Sequence, residues 1–190
     1  MEILEPTTVY DLCTGRLDGE NVSYGKKRLA EIRSIFRDRH AADSGDGDTV
    51  VYEVGMHAEV PEGTCGGLFF GTSIIHPGMV GDEYYMTKGH FHARRETAEY
   101  YFGISGSGIL LLMSEDGKCS AHRMEKGALC YIGGHIAHRL VNTGDDDLVV
   151  GACWLSDAGH DYGSIAESGF PVRVVCRGGK PTLITETDAL

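Results

Sequence analysis

The chain has 190 residues, with 17 Lys and Arg against 28 Asp and Glu and a formal net charge of −11 at pH 7. This length favours one domain with one core, so two full domains are not expected. The net charge has the wrong sign for general attraction to a phosphate backbone or an anionic membrane, which argues against nucleic-acid and membrane-surface binding.

The amino-terminal part of the chain predicts one helix. In residues 26–39, Leu29, Ile32, Ile35 and Phe36 fall on one stripe with charges elsewhere, which is the spacing of an amphipathic helix. Residues 41–48, rich in Gly and Asp, indicate an exposed loop after it.

From residue 49 onward the pattern changes to short apolar runs separated by Gly-containing turns. Ten runs read as strands: 49–58, 68–76, 84–92, 98–104, 108–114, 119–125, 128–132, 137–142, 148–155 and 172–177. Strands at this spacing, without helices between them, predict an antiparallel sandwich or barrel.

We therefore expect one domain over residues 1–190. A helix and strands occupy 1–48, the barrel core covers 49–178, and 179–190 form a carboxy-terminal strand or tail. No apolar run approaches the roughly 18 residues needed to span a bilayer, and the start, MEILEP, lacks the basic-then-apolar order of a secretory signal. The expected location is the cytoplasm.

The chemistry is expected around three histidines and one glutamate. In a strand, successive side chains alternate between faces, so His90 and His92 point to the same side while Phe91 points away. Glu99 opens the next strand-like run, where pairing in a hairpin would bring its carboxylate beside the imidazoles. His138 begins a later strand. Three imidazoles and a carboxylate suit iron, manganese, nickel or zinc, with coordination positions left open for water or substrate.

These residues stand in a pattern that resembles the two motifs of the cupin double-stranded β-barrel. The first motif is His90-x-His92-x6-Glu99-x6-Gly106, and the second is Gly127-x10-His138-x3-Asn142. The interval between His92 and Glu99 is longer than in most cupins. Gly133 and His135 stand where a Pro-x-Gly turn usually occurs.

The longer interval is itself similar to that of one cupin family, the cupin-type phosphoglucose isomerases first associated with archaea. The similarity is carried by the sequences 87–92 (TKGHFH), 98–101 (AEYY) and 157–170 (DAGHDYGSIAESGF). It implies an all-β jelly roll with one short amino-terminal helix, and a homodimer. It also implies a metal-dependent aldose-ketose isomerase that interconverts glucose 6-phosphate and fructose 6-phosphate, with one divalent ion per subunit, Fe²⁺ being the first expectation.

The resemblance also implies roles for individual residues. Glu99 is the expected catalytic base, and His160 the second expected catalytic residue. The residues expected to contact the sugar or its phosphate are Tyr52, Ser73, Thr87, Gly89, Tyr101, Trp154 and Tyr162. Ser73 and Trp154 depart from the family, which often has Thr and Tyr there. Lys88 is a further candidate donor, although a surface-facing position is equally consistent with its neighbours.

Two other functions remain open at this stage. The same ligand set at iron would suit a cupin dioxygenase, which consumes oxygen and needs no phosphate site. A non-catalytic sugar-phosphate-binding cupin is the second. Within the isomerase reading, a proton transfer and a hydride shift between C1 and C2 are both compatible with the sequence.

Overall fold

The computed structural model describes residues 1–185 of the chain. The first seven strands are β1 (Thr8–Tyr10), β2 (Leu17–Gly19), β3 (Val22–Arg28), β4 (Val50–His57), β5 (Leu68–Ile75), β6 (Met79–Val80) and β7 (Glu83–Tyr84). The next eight are β8 (Glu99–Ser105), β9 (Ser107–Ser114), β10 (Cys119–Glu125), β11 (Leu129–Ile132), β12 (Ile136–Asn142), β13 (Leu148–Leu155), β14 (Val172–Arg177) and β15 (Lys180–Thr185). The helices are α1 (Leu29–Ile32), α2 (Arg39–Ser44) and α3 (Gly163–Ser168), with a 3-10 turn at Arg33–Ile35.

The predicted all-β class is confirmed, whereas the predicted helix at 26–39 is shorter and broken. Its first three residues belong to β3, where Lys27 pairs with Tyr52 of β4. The apolar stripe is nevertheless real, because Leu29, Ile32 and Phe36 are all buried. The predicted loop at 41–48 begins as helix α2, and helix α3 was not predicted.

The strands form two walls. One is a six-stranded sheet in the order β11-β8-β13-β5-β4-β3. The other contains the sheets β10-β9-β12 and β15-β14-β7-β6, and all of their strand pairs are antiparallel. Buried side chains of both walls form one core cluster, which includes Leu110 and Leu140 from the smaller sheets and Ile75 and Ile132 from the large one.

The predicted strand at 84–92 is regular only at its start. After β7 the chain continues beside β12 through isolated bridges, Met86 to Val141 and His90 to His138, and so joins the two smaller sheets into one wall. Gly89 has φ +73°, a left-handed conformation that a strand does not contain, so a regular strand cannot continue to His92. This irregular segment carries the H-x-H motif.

The amino-terminal hairpin of β1 and β2 packs on the outer face of the large sheet. The Tyr10 ring contacts Phe70 edge-on, with centroids 5.1 Å apart, and lies 6.4 Å from Phe102. Within residues 1–185, no helix has the length and apolarity needed to cross a bilayer. The expected carboxy-terminal segment is strand β15 up to Thr185, and residues 186–190 of that prediction lie outside the described residues.

Candidate metal centre and active site

The four predicted metal ligands converge in the space between the walls. The ligand atoms of His90, His92, Glu99 and His138 all lie within 4.8 Å of one another. Three of these side chains are buried, with exposed fractions of 5% for His92, 5% for Glu99 and 2% for His138. Buried imidazoles and a carboxylate at this spacing are what a transition-metal site requires.

Each ligand is placed by the sheet that carries it. His90 and His138 face each other across an antiparallel bridge, with backbone N···O distances of 3.3 and 3.1 Å. Glu99 does not reach the imidazoles through a hairpin with the H-x-H segment, as the sequence suggested. It starts β8 of the opposite wall, where it lies between Ile132 and Trp154 on the neighbouring strands, and its carboxylate crosses the interior.

The ligand atoms lie close together but do not satisfy one another through hydrogen bonds. His92 Nε2 lies 3.3 Å and His138 Nε2 2.7 Å from Glu99 Oε1. All three atoms are buried and none forms an aligned hydrogen bond within the described part of the chain, and neither does Nδ1 of His138. Because buried polar atoms are almost always satisfied, these convergent lone pairs fit a divalent cation.

The tautomer of His92 follows from its neighbour Thr97. The Thr97 hydroxyl donates its hydrogen to the Arg94 carbonyl at 2.8 Å and can therefore only accept from His92 Nδ1, which is also 2.8 Å away. Nδ1 thus carries the proton, and it also lies 3.1 Å from the Thr97 carbonyl oxygen. This leaves the Nε2 lone pair of His92 free to bind a metal, the arrangement usual for ligating histidines.

The local charges favour the ligand forms of Glu99 and His90, whereas the Glu99 carboxylate outweighs burial and raises the pKa of His92. Burial raises the pKa of Glu99, but the neighbouring imidazoles of His138 and His92 outweigh this effect and lower its pKa to about 2. Burial lowers the pKa of His90 well below its usual value, and the adjacent His138, His160 and His92 lower it further. At neutral pH Glu99 is therefore an anion and His90 is a neutral imidazole.

The predicted catalytic and substrate residues line one cavity of about 250 Å³ beside these ligands. Its wall contains His90, Glu99 and His138 together with all the positions named from the sequence: Tyr52, Ser73, Thr87, Gly89, Tyr101, Trp154, His160 and Tyr162. Residues separated by more than a hundred positions in the chain thus share one surface. His92 is buried beside this surface, with its Nε2 atom 3.3 Å from Glu99 Oε1.

His160 and Tyr162 come from the loop that precedes α3. Their rings stack with centroids 5.7 Å apart, and the His160 ring lies 4.5 Å from that of His90. A bridge between Phe91 and Asp161 holds this loop beside the H-x-H segment. Arg95 strengthens the connection, since its guanidinium donates to the His92 carbonyl at 2.9 Å and to the Asp161 carboxylate at 2.5 Å.

The local packing explains how a Trp fits at position 154, where the family often has Tyr. Its indole lies over Gly71 of the adjacent strand, where a Cβ atom would come within 2.7 Å of the Trp154 ring. The ring of Phe69 supports it edge-on at 5.9 Å. The missing side chain at Gly71 therefore makes room for the larger aromatic ring in the cavity wall.

Lys27 is a lining residue that the sequence did not predict. The sequence placed it in a helix, whereas it belongs to edge strand β3 and lies opposite Tyr52. No apolar alternation marks β3, so its strand character had no local signal. The candidate Lys88 also lines the cavity, with its ammonium group 5.2 Å from the centre of the Tyr162 ring.

An antiparallel barrel with three histidines and a glutamate converging between its walls is the architecture of a cupin, and these four side chains could hold a metal ion. Among solved structures, oxalate decarboxylase of Bacillus subtilis is similar to this chain, with a TM-score of 0.46 and 20% sequence identity. The matched region covers 57% of this chain and 26% of that one. The chain thus spans about a quarter of that protein.

Comparison with protein families is more specific. The model of the family described as glucose-6-phosphate isomerase matches residues 26–187. The glucose-6-phosphate isomerase of Thermococcus litoralis is 41% identical over 183 residues, 95% of this chain and 94% of that protein. The one of Sinorhizobium medicae is 36% identical over 182 residues, 93% and 84% of the two chains. This chain belongs to the glucose-6-phosphate isomerase family, which confirms the resemblance drawn from its motifs.

Proposed function

We propose that the chain is a metal-dependent isomerase that interconverts glucose 6-phosphate and fructose 6-phosphate. The observation that carries this proposal is the convergence of the ligand cluster and the hydroxyl-rich cavity on one interior surface of a chain in this family. His90, His92, Glu99 and His138 hold one divalent ion per subunit, with iron the first expectation. A bound divalent ion supplies Lewis acidity, which favours polarisation of the neighbouring oxygens on C1 and C2 of the open-chain sugar.

The chain's own residues move the hydrogens. Glu99 takes the proton from C2 of the aldose and returns it to C1, while the proton of the O2 hydroxyl passes to O1 through the His160 imidazole. The bonds balance, because one C–H and one O–H are broken and one of each is formed. Glu99 is anionic, as a base must be, although its lowered pKa limits its strength as a base.

The phosphate is held by local donors, since the net charge of −11 offers no general attraction. Hydroxyl groups and backbone N–H groups bind phosphate without a basic patch. The donors assigned to the sugar phosphate are the side chains of Tyr52, Ser73, Thr87, Tyr101, Trp154 and Tyr162 and the backbone N–H of Gly89.

A substrate labelled with deuterium at C2 distinguishes the two hydrogen-transfer routes. We expect part of the label to exchange with solvent during turnover, because a proton on the Glu99 carboxylate can leave before it reaches C1. Mass spectrometry of the product measures the retained label. Complete retention at C1 would reject Glu99 as the base and support a hydride shift.

An anaerobic isomerase assay tests the function as a whole. We expect chelation to abolish conversion of fructose 6-phosphate and one of Fe²⁺, Mn²⁺, Ni²⁺ or Zn²⁺ to restore it, because the buried donor set cannot perform the role of the ion alone. Turnover that depends on oxygen would indicate the dioxygenase instead. Saturable sugar-phosphate binding without turnover, whatever metal is added, would indicate a non-catalytic cupin.

The functional unit is a cytoplasmic homodimer. Three large side chains on adjacent strands support a self-association surface: Tyr100, Leu129 and Tyr131 are 49%, 68% and 61% exposed, and Tyr100 pairs with Tyr131 in register. Contiguous exposed apolar side chains of this kind are typical of subunit interfaces. A monomeric mass at micromolar concentration by analytical ultracentrifugation would contradict the dimer.

A further inference from the structure

Arg139 is a buried arginine that forms no direct ion pair within residues 1–185, although Glu83 acts on it electrostatically. It follows His138 on β12, and only 3% of its surface is exposed. None of the ion pairs of residues 1–185 includes it, while nearby Arg173 is paired with Glu83. A guanidinium group stays protonated in proteins, so Arg139 is a cation at neutral pH. A buried charge without a direct ion pair is costly, which indicates a task beyond packing.

The guanidinium is directed at one backbone oxygen. Its Nε and Nη2 atoms donate to the Lys88 carbonyl at 3.2 and 2.6 Å. The guanidinium also lies over the ring of Phe170, whose centre is 4.4 Å from the Arg139 Cζ. Arg139 thus contacts both an aromatic ring and the segment that precedes the metal ligand His90.

The Lys88 carbonyl shares its peptide plane with the N–H of Gly89. In a trans peptide these two groups point in opposite directions, so fixing one direction fixes the other. Arg139 holds the carbonyl and thereby sets the direction of the Gly89 N–H, which forms no hydrogen bond with any other described residue. A cation on the carbonyl also polarises the peptide and strengthens its N–H as a donor.

The neighbouring backbone is held as firmly. Thr87 N–H donates to the Leu140 carbonyl at 2.9 Å, and Leu140 N–H donates to the Thr87 hydroxyl at 3.1 Å. At Gly89, a Cβ would lie 2.8 Å from Phe170, 3.0 Å from the His138 carbonyl and 3.2 Å from the Arg139 Cβ. The positive φ and this close packing both require Gly.

We propose that Arg139 is a positioning residue for the phosphate group of the substrate: it fixes the Lys88–Gly89 peptide so that the Gly89 N–H faces the cavity, and it places a positive charge behind that donor. This inference rests on the proposed function, which assigns Gly89 to the phosphate. Arg139 acts through the backbone and does not touch the sugar.

Three variants of the metal-loaded protein test the proposal. Arg139→Met removes the charge and the hydrogen-bond donors. Arg139→Lys keeps the charge but lacks the planar guanidinium group with its paired donors. Arg123→Met is the control, because Arg123 is an exposed arginine on β10, which belongs to the same sheet as β12 but is separated from it by β9. Metal content and melting temperature are measured for each variant.

The readout is calorimetric binding of glucitol 6-phosphate, with unphosphorylated glucitol as the comparison, together with KM and kcat for fructose 6-phosphate. We expect the Met variant to weaken glucitol 6-phosphate binding and to raise KM by about tenfold or more. The reason is the loss of the charged hydrogen bonds from Arg139 to the Lys88 carbonyl, which orient the Gly89 N–H. Its kcat changes less than its KM, glucitol binding is unaffected, and the control resembles the wild type. The Lys variant is intermediate.

Unchanged glucitol 6-phosphate affinity in a folded, metal-loaded Met variant would overturn the inference, as would an equal loss of glucitol binding. If the Met variant does not fold, the Lys variant decides by the same affinity measurement. A wild-type protein that binds glucitol 6-phosphate but does not isomerise fructose 6-phosphate would contradict the proposed function, while the variant series would still test the role of Arg139. A wild-type protein that binds no sugar phosphate would contradict both the proposed function and the role of Arg139.

Discussion

Glu99→Gln is expected to lower kcat by about 10²- to 10⁴-fold, the range for loss of a general base. The amide has nearly the same shape as the carboxylate but cannot accept the proton from C2. Its oxygen can still face the ion, so part of the metal is expected to remain bound. The measurement is kcat for fructose 6-phosphate at saturating metal, normalised to the metal content of each preparation.

The matched control for this substitution is Glu96→Gln. Glu96 lies three positions earlier but is exposed on the surface and pairs with Arg94. Its substitution should leave kcat close to that of the wild type. A Glu99→Gln protein with full metal and near-normal turnover would assign the base to another group and leave Glu99 only as a ligand.

His138→Ala is expected to lose the bound metal and to reduce isomerase activity by about 10³-fold or more, since Lewis-acid stabilisation contributes several kcal/mol. His138 is 2% exposed and supplies a nitrogen that faces Glu99 across the interior. Its removal also leaves the anionic Glu99 short of a partner in a buried site, so the melting temperature should fall. Metal analysis after gel filtration and the anaerobic assay measure the two effects.

His122→Ala is the control for this experiment, because His122 is an exposed histidine on β10 whose imidazole bonds to the Ser120 hydroxyl. It should retain metal and activity. A His138→Ala protein that binds metal stoichiometrically and turns over normally would show that the four-residue centre is not the catalytic one.

Several elements could be predicted because their signals are local. Strands 119–125, 148–155 and 172–177 agree residue for residue with β10, β13 and β14, since short apolar runs between turn residues define their own ends. The motif spacing led to the family, which the family match confirms. The helix at 26–39 was wrong at its start, because an edge strand with mostly exposed side chains has no alternating pattern to distinguish it.

The class of fold, the family and the candidate metal-ligating residues could be inferred from the sequence, because residue types, strand periodicity and motif spacing are properties of neighbours in the chain. The sequence did not reveal that Glu99 faces the histidines from the opposite wall, that Lys27 lines the cavity, or that Arg139 donates to the Lys88 carbonyl, all of which are features of the folded barrel. Each of these depends on pairing between strands far apart in sequence. Such pairings are set by the packing of the whole barrel, which no short stretch of residues specifies.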